Sequence, residues 1–142
     1  MIIVDVNILV YAHNAGAPQH PIARAWAERA FSGSEVVGIP WAVAHAFLRL
    51  TTDSRFMAFP FEPKEASSIV DAWFTSPAGE LVEPGPRYWS ILRSMLIADN
   101  IRGPLVSDAH LAALTLEHDA TLCTADRDFR RFAGLRVINP LA

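Results

Sequence analysis

The strongest constraint on the fold of this chain is the alternation of short apolar runs with longer amphipathic stretches. The runs are rich in β-branched residues, as buried strands are, and the longer stretches repeat their apolar residues with a helical period. The predicted strands are residues 2–4, 36–40, 79–83, 120–124 and 135–138. The predicted helices are residues 8–12, 21–31, 41–52, 64–75, 87–99 and 107–118, with a helical turn over 126–132. This alternation predicts an α/β fold whose central, mostly parallel sheet is covered by helices on both faces.

Length and composition predict a single domain over residues 1–142. With 51% hydrophobic and 19% charged residues, the chain can bury a substantial core. No apolar run is long enough to cross a membrane and no signal-type segment opens the sequence, so we expect a cytoplasmic location. The formal net charge of −3 argues against a surface coated in positive charge for nonspecific DNA binding. Cys123 is the only cysteine, which excludes an internal disulfide, and we expect it to be a small buried side chain.

Three aspartates lie where an open α/β sheet places its chemistry. Asp5 and Asp126 follow predicted strands, and Asp108 lies in the first turn of a predicted helix, for which Ser107 is the expected N-cap. Converging carboxylates repel each other unless a proton or a cation intervenes. A hard cation such as Mg²⁺ prefers oxygen ligands, so the three together predict a metal site. Taken singly, Asp108 could favour the helix dipole and Asp126 could be a turn residue.

Four segments of the sequence carry a family pattern. They are Ile2-Ile3-Val4-Asp5-Val6-Asn7-Ile8-Leu9-Val10-Tyr11-Ala12, Val106-Ser107-Asp108-Ala109-His110-Leu111-Ala112-Ala113-Leu114, Leu122-Cys123-Thr124-Ala125-Asp126-Arg127-Asp128-Phe129, and residues 132–140. With these four segments in this order, the chain resembles the PIN-domain ribonucleases, and in particular the VapC-type toxins of bacterial toxin–antitoxin modules. The resemblance covers essentially the whole chain and implies a PIN-like three-layer sandwich.

The resemblance also implies a chemistry and a set of partners. In that family an acidic cluster binds Mg²⁺ or Mn²⁺ and hydrolyses RNA, and the toxin is neutralised by an antitoxin and usually forms a homodimer. By match, Asp5, Asp108 and Asp126 are the metal-binding and catalytic carboxylates, and Asp128 is a nearby helper. Asn7 matches a small polar position that orients Asp5 or a water molecule, although it could equally be the N-cap of the first helix.

One expected carboxylate is missing from the pattern. The family normally has a glutamate on the helix after the second strand, and matching residues 47–49 places it at Ala46. His45 is rotated by about 100° around the helix axis, and Asp53 lies about 10 Å further along it, so neither residue replaces the glutamate. Two explanations are open: natural erosion of the site, or a deliberate change of the glutamate to silence a toxic protein. We predict that Ala46→Glu raises metal-dependent cleavage of RNA.

Basic and aromatic residues suggest how partners could bind. Arg127, Arg130 and Arg131 flank Asp126 and are candidate contacts to RNA phosphates, although a solvated helix face is the favoured interpretation for each one taken alone. Residues 56–61 form an aromatic loop that could contact an antitoxin or a second copy of the chain, or stack on unpaired bases; we favour a protein contact.

Two other functions remain open from the sequence. The first is a catalytically impaired PIN domain that binds RNA or an antitoxin, which Ala46 favours. The second and more distant one is an aspartyl-phosphate phosphotransferase, since Asp5 follows the first strand. Those enzymes carry an Asp-x-Asp pattern, and Asn7 in its second place argues against them.

Overall fold

A parallel sheet of five strands forms the centre of the molecule in a computed structural model that describes residues 1–142. The strands are β1 (Ile2–Val4), β2 (Val37–Pro40), β3 (Gly79–Val82), β4 (Thr121–Cys123) and β5 (Arg136–Ile138). Their order is β3-β2-β1-β4-β5, and all four pairings are parallel. The predicted α/β class with a central parallel sheet is therefore confirmed.

Six helices and one 3₁₀ helix connect the strands. They are α1 (Val6–His13), α2 (His20–Ser32), α3 (Trp41–Thr51), α4 (Pro63–Thr75), α5 (Tyr88–Ala98) and α6 (Leu105–Glu117), with the 3₁₀ helix over Arg127–Arg131. The chain moves from β1 to β3 in one direction and returns across the sheet to β4. Because parallel crossovers are right-handed, helices α1–α4 and helices α5 and α6 cover opposite faces. The main hydrophobic cluster draws buried residues from the sheet and from both groups of helices.

Two helices, α1 and α6, begin two residues earlier than the sequence predicts. Helix α1 starts at Val6 because the side chain of Asp5 accepts a hydrogen bond from the backbone N–H of Val6 at 2.7 Å and caps the helix. Helix α6 starts at Leu105, so the predicted N-cap at Ser107 is wrong. Pro104 occupies the cap position with a φ of −59°, since proline suits the start of a helix. Asp108 remains in the first turn of α6, as predicted.

A buried glutamate fixes the start of α5 to the end of α6. The Glu117 carboxylate accepts hydrogen bonds from the backbone N–H groups of Gly85 at 2.7 Å and Arg87 at 2.9 Å. The Arg87 guanidinium in turn donates to the Glu117 carbonyl at 2.6 Å. The Pro84–Arg87 turn has no regular secondary structure, and these bonds satisfy backbone groups that would otherwise be unpaired. Nothing in the sequence marks this contact, because a glutamate in a helix normally faces solvent.

Candidate active site

Asp5 lies at the centre of the carboxyl edge of the sheet. Strand β1 pairs with β4 so that Val4 lies opposite Cys123, and the Asp5 N–H donates to the Cys123 carbonyl at 2.9 Å. This register places Asp5 beside Thr124. The Thr124 hydroxyl donates to Asp5 Oδ2 at 2.7 Å, and Asn7 Nδ2 donates to the same oxygen at 3.3 Å. Oδ1 accepts only the Val6 N–H, which leaves this oxygen able to accept a further partner.

The Thr124 hydroxyl connects three groups of the site, and nothing in the sequence indicated this role. The residue is 1% exposed. Besides donating to Asp5, its hydroxyl accepts from Asn7 Nδ2 at 3.2 Å and from the backbone N–H of Asp126 at 3.0 Å. Asn7 Oδ1 also accepts from the backbone N–H of Ala125 at 3.3 Å. The network joins the start of the chain to its last fifth and holds the Asp5 carboxylate in one orientation.

The same network decides between the two expectations for Asn7. Asp5 is the N-cap of α1, so the N-cap alternative for Asn7 is wrong. The Asn7 amide instead bridges Asp5, Thr124 and Ala125. It is therefore placed to orient the carboxylate.

The other carboxylates interact with Asp5 through their charges. Burial raises the pKa of Asp108, and Asp126, Asp5 and Asp128 raise it further, while Arg131 opposes the shift. Burial also raises the pKa of Asp5; hydrogen bonds from Thr124 and Val6 oppose this rise, and Asp126 adds to it. The acidic residues thus share one region of negative potential. They are not gathered into a closed group of three ligands.

The Asp126 carboxylate has a structural role as well. One of its oxygens accepts the backbone N–H of Asp128 at 2.9 Å and so caps the 3₁₀ helix. The sequence offered a turn role and a metal role as alternatives, and this bond places Asp126 at the turn without removing it from the negative field around Asp108.

Ala46, where the family pattern expects a glutamate, lines the same cavity of about 170 Å³ as Asp5 and Asp108. The cavity is lined by Asp5, Val6, Ala42, Val43, Ala46, Ser107, Asp108, His110, Leu111 and Phe129. Ala46 therefore faces the same space as Asp5 and Asp108. His45 does not line this cavity, and Asp53 forms an ion pair with Arg55 at 2.7 Å. As expected, neither residue takes the place of the missing glutamate.

The remaining candidates lie around this cavity or below it. Arg127, Arg130 and Arg131 are all exposed on the 3₁₀ helix that follows Asp126. Cys123 is buried beneath Asp5, and burial together with the Asp5 charge raises the pKa of its thiol to about 12. The thiol is therefore protonated at neutral pH, which confirms the expectation of a buried, unreactive side chain.

The aromatic loop is exposed at two of its three phenylalanines. Residues 56–61 contain no helix or strand, as predicted. Phe59 is 88% exposed and Phe56 is 54% exposed, whereas Met57 between them is buried. Large apolar side chains held in water on a loop are typical of a contact surface.

Comparison with known proteins assigns the family. The model of the PIN domain matches residues 2–135. The chain belongs to the PIN-domain family. Among its relatives, ribonuclease VapC43 of Mycobacterium tuberculosis is 40% identical over 141 residues, covering 99% of this chain and 96% of that protein. Ribonuclease VapC37 of the same organism is 39% identical over 142 residues, covering 100% of this chain and 99% of that protein.

Solved structures of PIN-domain proteins share the fold of this chain. One is VapBC2 from Rickettsia felis bound to a DNA fragment from its promoter, with a TM-score of 0.68, 20% identity and 98% coverage of both chains. Another is VapC20 of Mycobacterium tuberculosis, a toxin that cleaves the sarcin–ricin loop, with a TM-score of 0.66, 21% identity, and coverage of 96% of this chain and 99% of that one. No helix of the chain has both the length and the apolar character needed to span a bilayer.

Proposed function

We propose that this PIN-domain protein is a Mg²⁺-dependent endoribonuclease toxin of a toxin–antitoxin module. The observation that carries the proposal is the cavity at the carboxyl edge of the sheet, where Asp5 and Asp108 face the same space and Asp126 adds to their negative field. Relatives that match nearly the full length of the chain are named ribonucleases, which supports hydrolysis of RNA.

The side chains of the cavity fit a hard divalent cation. Asp5, Asp108 and Asp126 offer only oxygen donors, and burial, with a further contribution from neighbouring aspartates, raises the pKa of Asp5 and of Asp108. A cation would relieve that repulsion, so we assign these three residues as the ligands of Mg²⁺, with Mn²⁺ as an alternative. The chemistry that such an ion supplies is Lewis-acid activation of water and neutralisation of phosphate charge.

The protein's own residues prepare the site for RNA. Asn7 and Thr124 hold the Asp5 carboxylate in one orientation through their hydrogen bonds. Asp128 adds to the negative field around Asp108 and is a candidate helper. Exposed Arg127, Arg130 and Arg131 follow Asp126 directly and are assigned to the RNA backbone, because guanidinium groups pair with phosphates.

An antitoxin is the expected protein partner, acting in the cytoplasm. Solved structures with the same fold include complexes named VapBC from Rickettsia felis and from nontypeable Haemophilus influenzae, which supports such a partner. The exposed Phe56 and Phe59 offer an apolar contact for the antitoxin or for the second copy in a homodimer.

One observation favours a second candidate function. Ala46 faces the cavity where the family places a carboxylate, so a catalytically impaired PIN domain that binds RNA or an antitoxin is the alternative. With one ligand fewer, a bound ion would be held more weakly.

The decisive experiment is to incubate the protein with total cellular RNA, with and without Mg²⁺ or Mn²⁺, and to map new RNA ends. We expect discrete cuts that need the metal and disappear in Asp5→Asn. Binding of RNA or antitoxin without cuts would select the impaired alternative. Cuts that persist in Asp5→Asn, or without metal, would refute both.

A further inference from the structure

A tyrosine–histidine pair borders the acidic cavity and has no role in the function proposed above. His110, on α6, lines the cavity together with Asp5 and Asp108. Its Nδ1 atom is hydrogen-bonded to the hydroxyl of Tyr88, the first residue of α5. The two rings also pack edge to face, with centroids 5.4 Å apart and an interplanar angle of 80°.

The hydrogen bond determines which ring nitrogen of His110 is available to the cavity. His110 Nδ1 is the only protein partner of the Tyr88 hydroxyl. A phenol O–H is a stronger donor than a neutral imidazole N–H, and the imidazole nitrogen is the stronger acceptor, so the favoured tautomer is the one in which the phenol donates and Nδ1 accepts. A neutral imidazole that accepts at Nδ1 carries its proton on Nε2, and an imidazolium carries a proton there as well. In either state, Nε2–H is a hydrogen-bond donor with no partner in the protein.

An N–H donor has a clear use in this cavity. The polar groups that line it are otherwise the carboxylates of Asp5 and Asp108 and the hydroxyl of Ser107. An RNA phosphodiester brings further negative charge, and the charge on its oxygens increases as the phosphorus becomes five-coordinate during hydrolysis. The cavity wall therefore needs a donor for the phosphate oxygens, and His110 Nε2 is the imidazole donor available there.

The position of Tyr88 is itself fixed from the opposite side. The Glu117 carboxylate accepts the N–H groups of Gly85 and Arg87, so the turn that leads into Tyr88 is tied to the helix that carries Asp108 and His110. Tyr88 and His110 thus belong to one rigid pair of helices. Such preorganisation is what a donor needs if it is to lie within hydrogen-bonding distance of a phosphate oxygen.

We propose that His110 donates a hydrogen bond from Nε2 to a non-bridging oxygen of the scissile RNA phosphodiester, and that Tyr88 is the positioning residue that fixes the imidazole. The proposal rests on the ribonuclease function proposed above. It adds to the three aspartates a substrate contact from α6, positioned by the first residue of α5.

Amide replacements of His110 separate the two ring nitrogens. The Nε2 amide of glutamine overlays imidazole Nε2, whereas the amide of asparagine overlays Nδ1. On a short RNA with Mg²⁺ or Mn²⁺, we expect His110→Asn and His110→Ala to lower kcat by about 10- to 100-fold. We expect His110→Gln to recover a large part of that loss, and Tyr88→Phe to lower kcat by a few-fold with little change in KM. His118→Ala is the matched control, because the His118 side chain forms a hydrogen bond only with the Glu83 carbonyl and does not line the cavity, and its kcat should be unchanged.

A binding measurement keeps the proposal testable if the wild-type protein does not cleave RNA. In ¹⁵N-labelled protein with Mg²⁺, the Nε2 resonance of His110 should shift when a 2′-O-methyl RNA oligonucleotide is added, and Tyr88→Phe should weaken that shift. A shift without cleavage would refute the ribonuclease and retain the contact. The proposal is overturned if no shift occurs at saturating oligonucleotide, if glutamine and asparagine reduce kcat equally, or if kcat follows thermal stability across all variants.

Discussion

Thr124→Val tests whether the buried hydroxyl organises the acidic site. Valine matches the shape of threonine, so the change removes hydrogen bonds without opening a cavity. The variant loses the bond to the ionised Asp5 and the two bonds that the hydroxyl accepts, from Asn7 and from the Asp126 N–H. A hydrogen bond to a charged acceptor contributes about 1.5–3 kcal/mol and a neutral one about 1 kcal/mol.

These contributions do not add in full, because Asn7 keeps its bond to Asp5 and the half-buried Asp126 N–H can reach water. We therefore expect Thr124→Val to lower the free energy of unfolding by about 3 kcal/mol, or the melting temperature by roughly 10 °C. Loss of a group that orients a ligand should also weaken Mn²⁺ binding by about 10- to 100-fold. Urea unfolding of the metal-free protein and calorimetric titration with Mn²⁺ measure the two effects.

Thr115→Val is the matched control. Thr115 is also fully buried, but its hydroxyl only donates to the Leu111 carbonyl within α6, at 2.8 Å. Its loss should cost less than about 1 kcal/mol and leave Mn²⁺ binding unchanged. Thr124→Ser, which keeps the hydroxyl, should bind Mn²⁺ as the wild type does. The reasoning fails if Thr124→Val is no less stable than Thr115→Val and binds Mn²⁺ with wild-type affinity.

Three further predictions concern single carboxylates. Ala46→Glu should raise Mg²⁺-dependent cleavage of a labelled RNA while Ala46→Gln does not, because only glutamate adds a ligand to the cavity; equal activities would argue against this placement. In metal-free protein, burial and neighbouring aspartates raise the pKa of Asp108, so the stability cost of ionising it sets in above the ordinary carboxyl pKa and is complete once the pH exceeds the raised value. Asp108→Asn should therefore melt higher than the wild type at pH 7 and lose this advantage as the pH falls through the ordinary carboxyl range, and a pH-independent gain in thermal scans would contradict the assignment. Burial raises the pKa of Glu117, but its backbone donors lower it more, so its stabilisation is present above the ordinary carboxyl pKa and is lost as the pH falls through the lowered value. In urea unfolding at pH 7, Glu117→Gln should cost about 1–3 kcal/mol and exposed Glu28→Gln less than about 0.5 kcal/mol; equal costs would contradict the capping role.

The sequence predicted the parts of the site that follow from strand position. Asp5 ends the first apolar run and Asp126 follows the fourth, and parallel pairing of β1 with β4 brings the two strand ends together. These two inferences needed only the period of strands and the rule that parallel strands share an edge. The vacant position at Ala46 came instead from matching residues 47–49 to the family pattern.

The sequence could not reveal contacts that depend on the direction of a polar side chain. Thr124 looks like any β-branched strand residue, and Glu117 looks like any charged helix residue, because propensity does not record which backbone donors lie opposite. The pairing of Tyr88 with His110 depends on how α5 packs against α6. The predicted N-cap at Ser107 was wrong because Pro104, directly before Leu105, already provides a good helix start.

The strand order determines when, during synthesis of the protein, the acidic site can assemble. The Asp5–Thr124 hydrogen bond joins residues 119 positions apart. A ribosome therefore finishes β1, β2 and β3, with the helices between them, before the segment that completes the site has been synthesised. A nascent or truncated chain that stops before β4 has Asp5 but neither Thr124 nor Asp126, so it cannot assemble the acidic site. The proposed nuclease therefore becomes competent only after β4 and the segment that carries Thr124 and Asp126 have been synthesised.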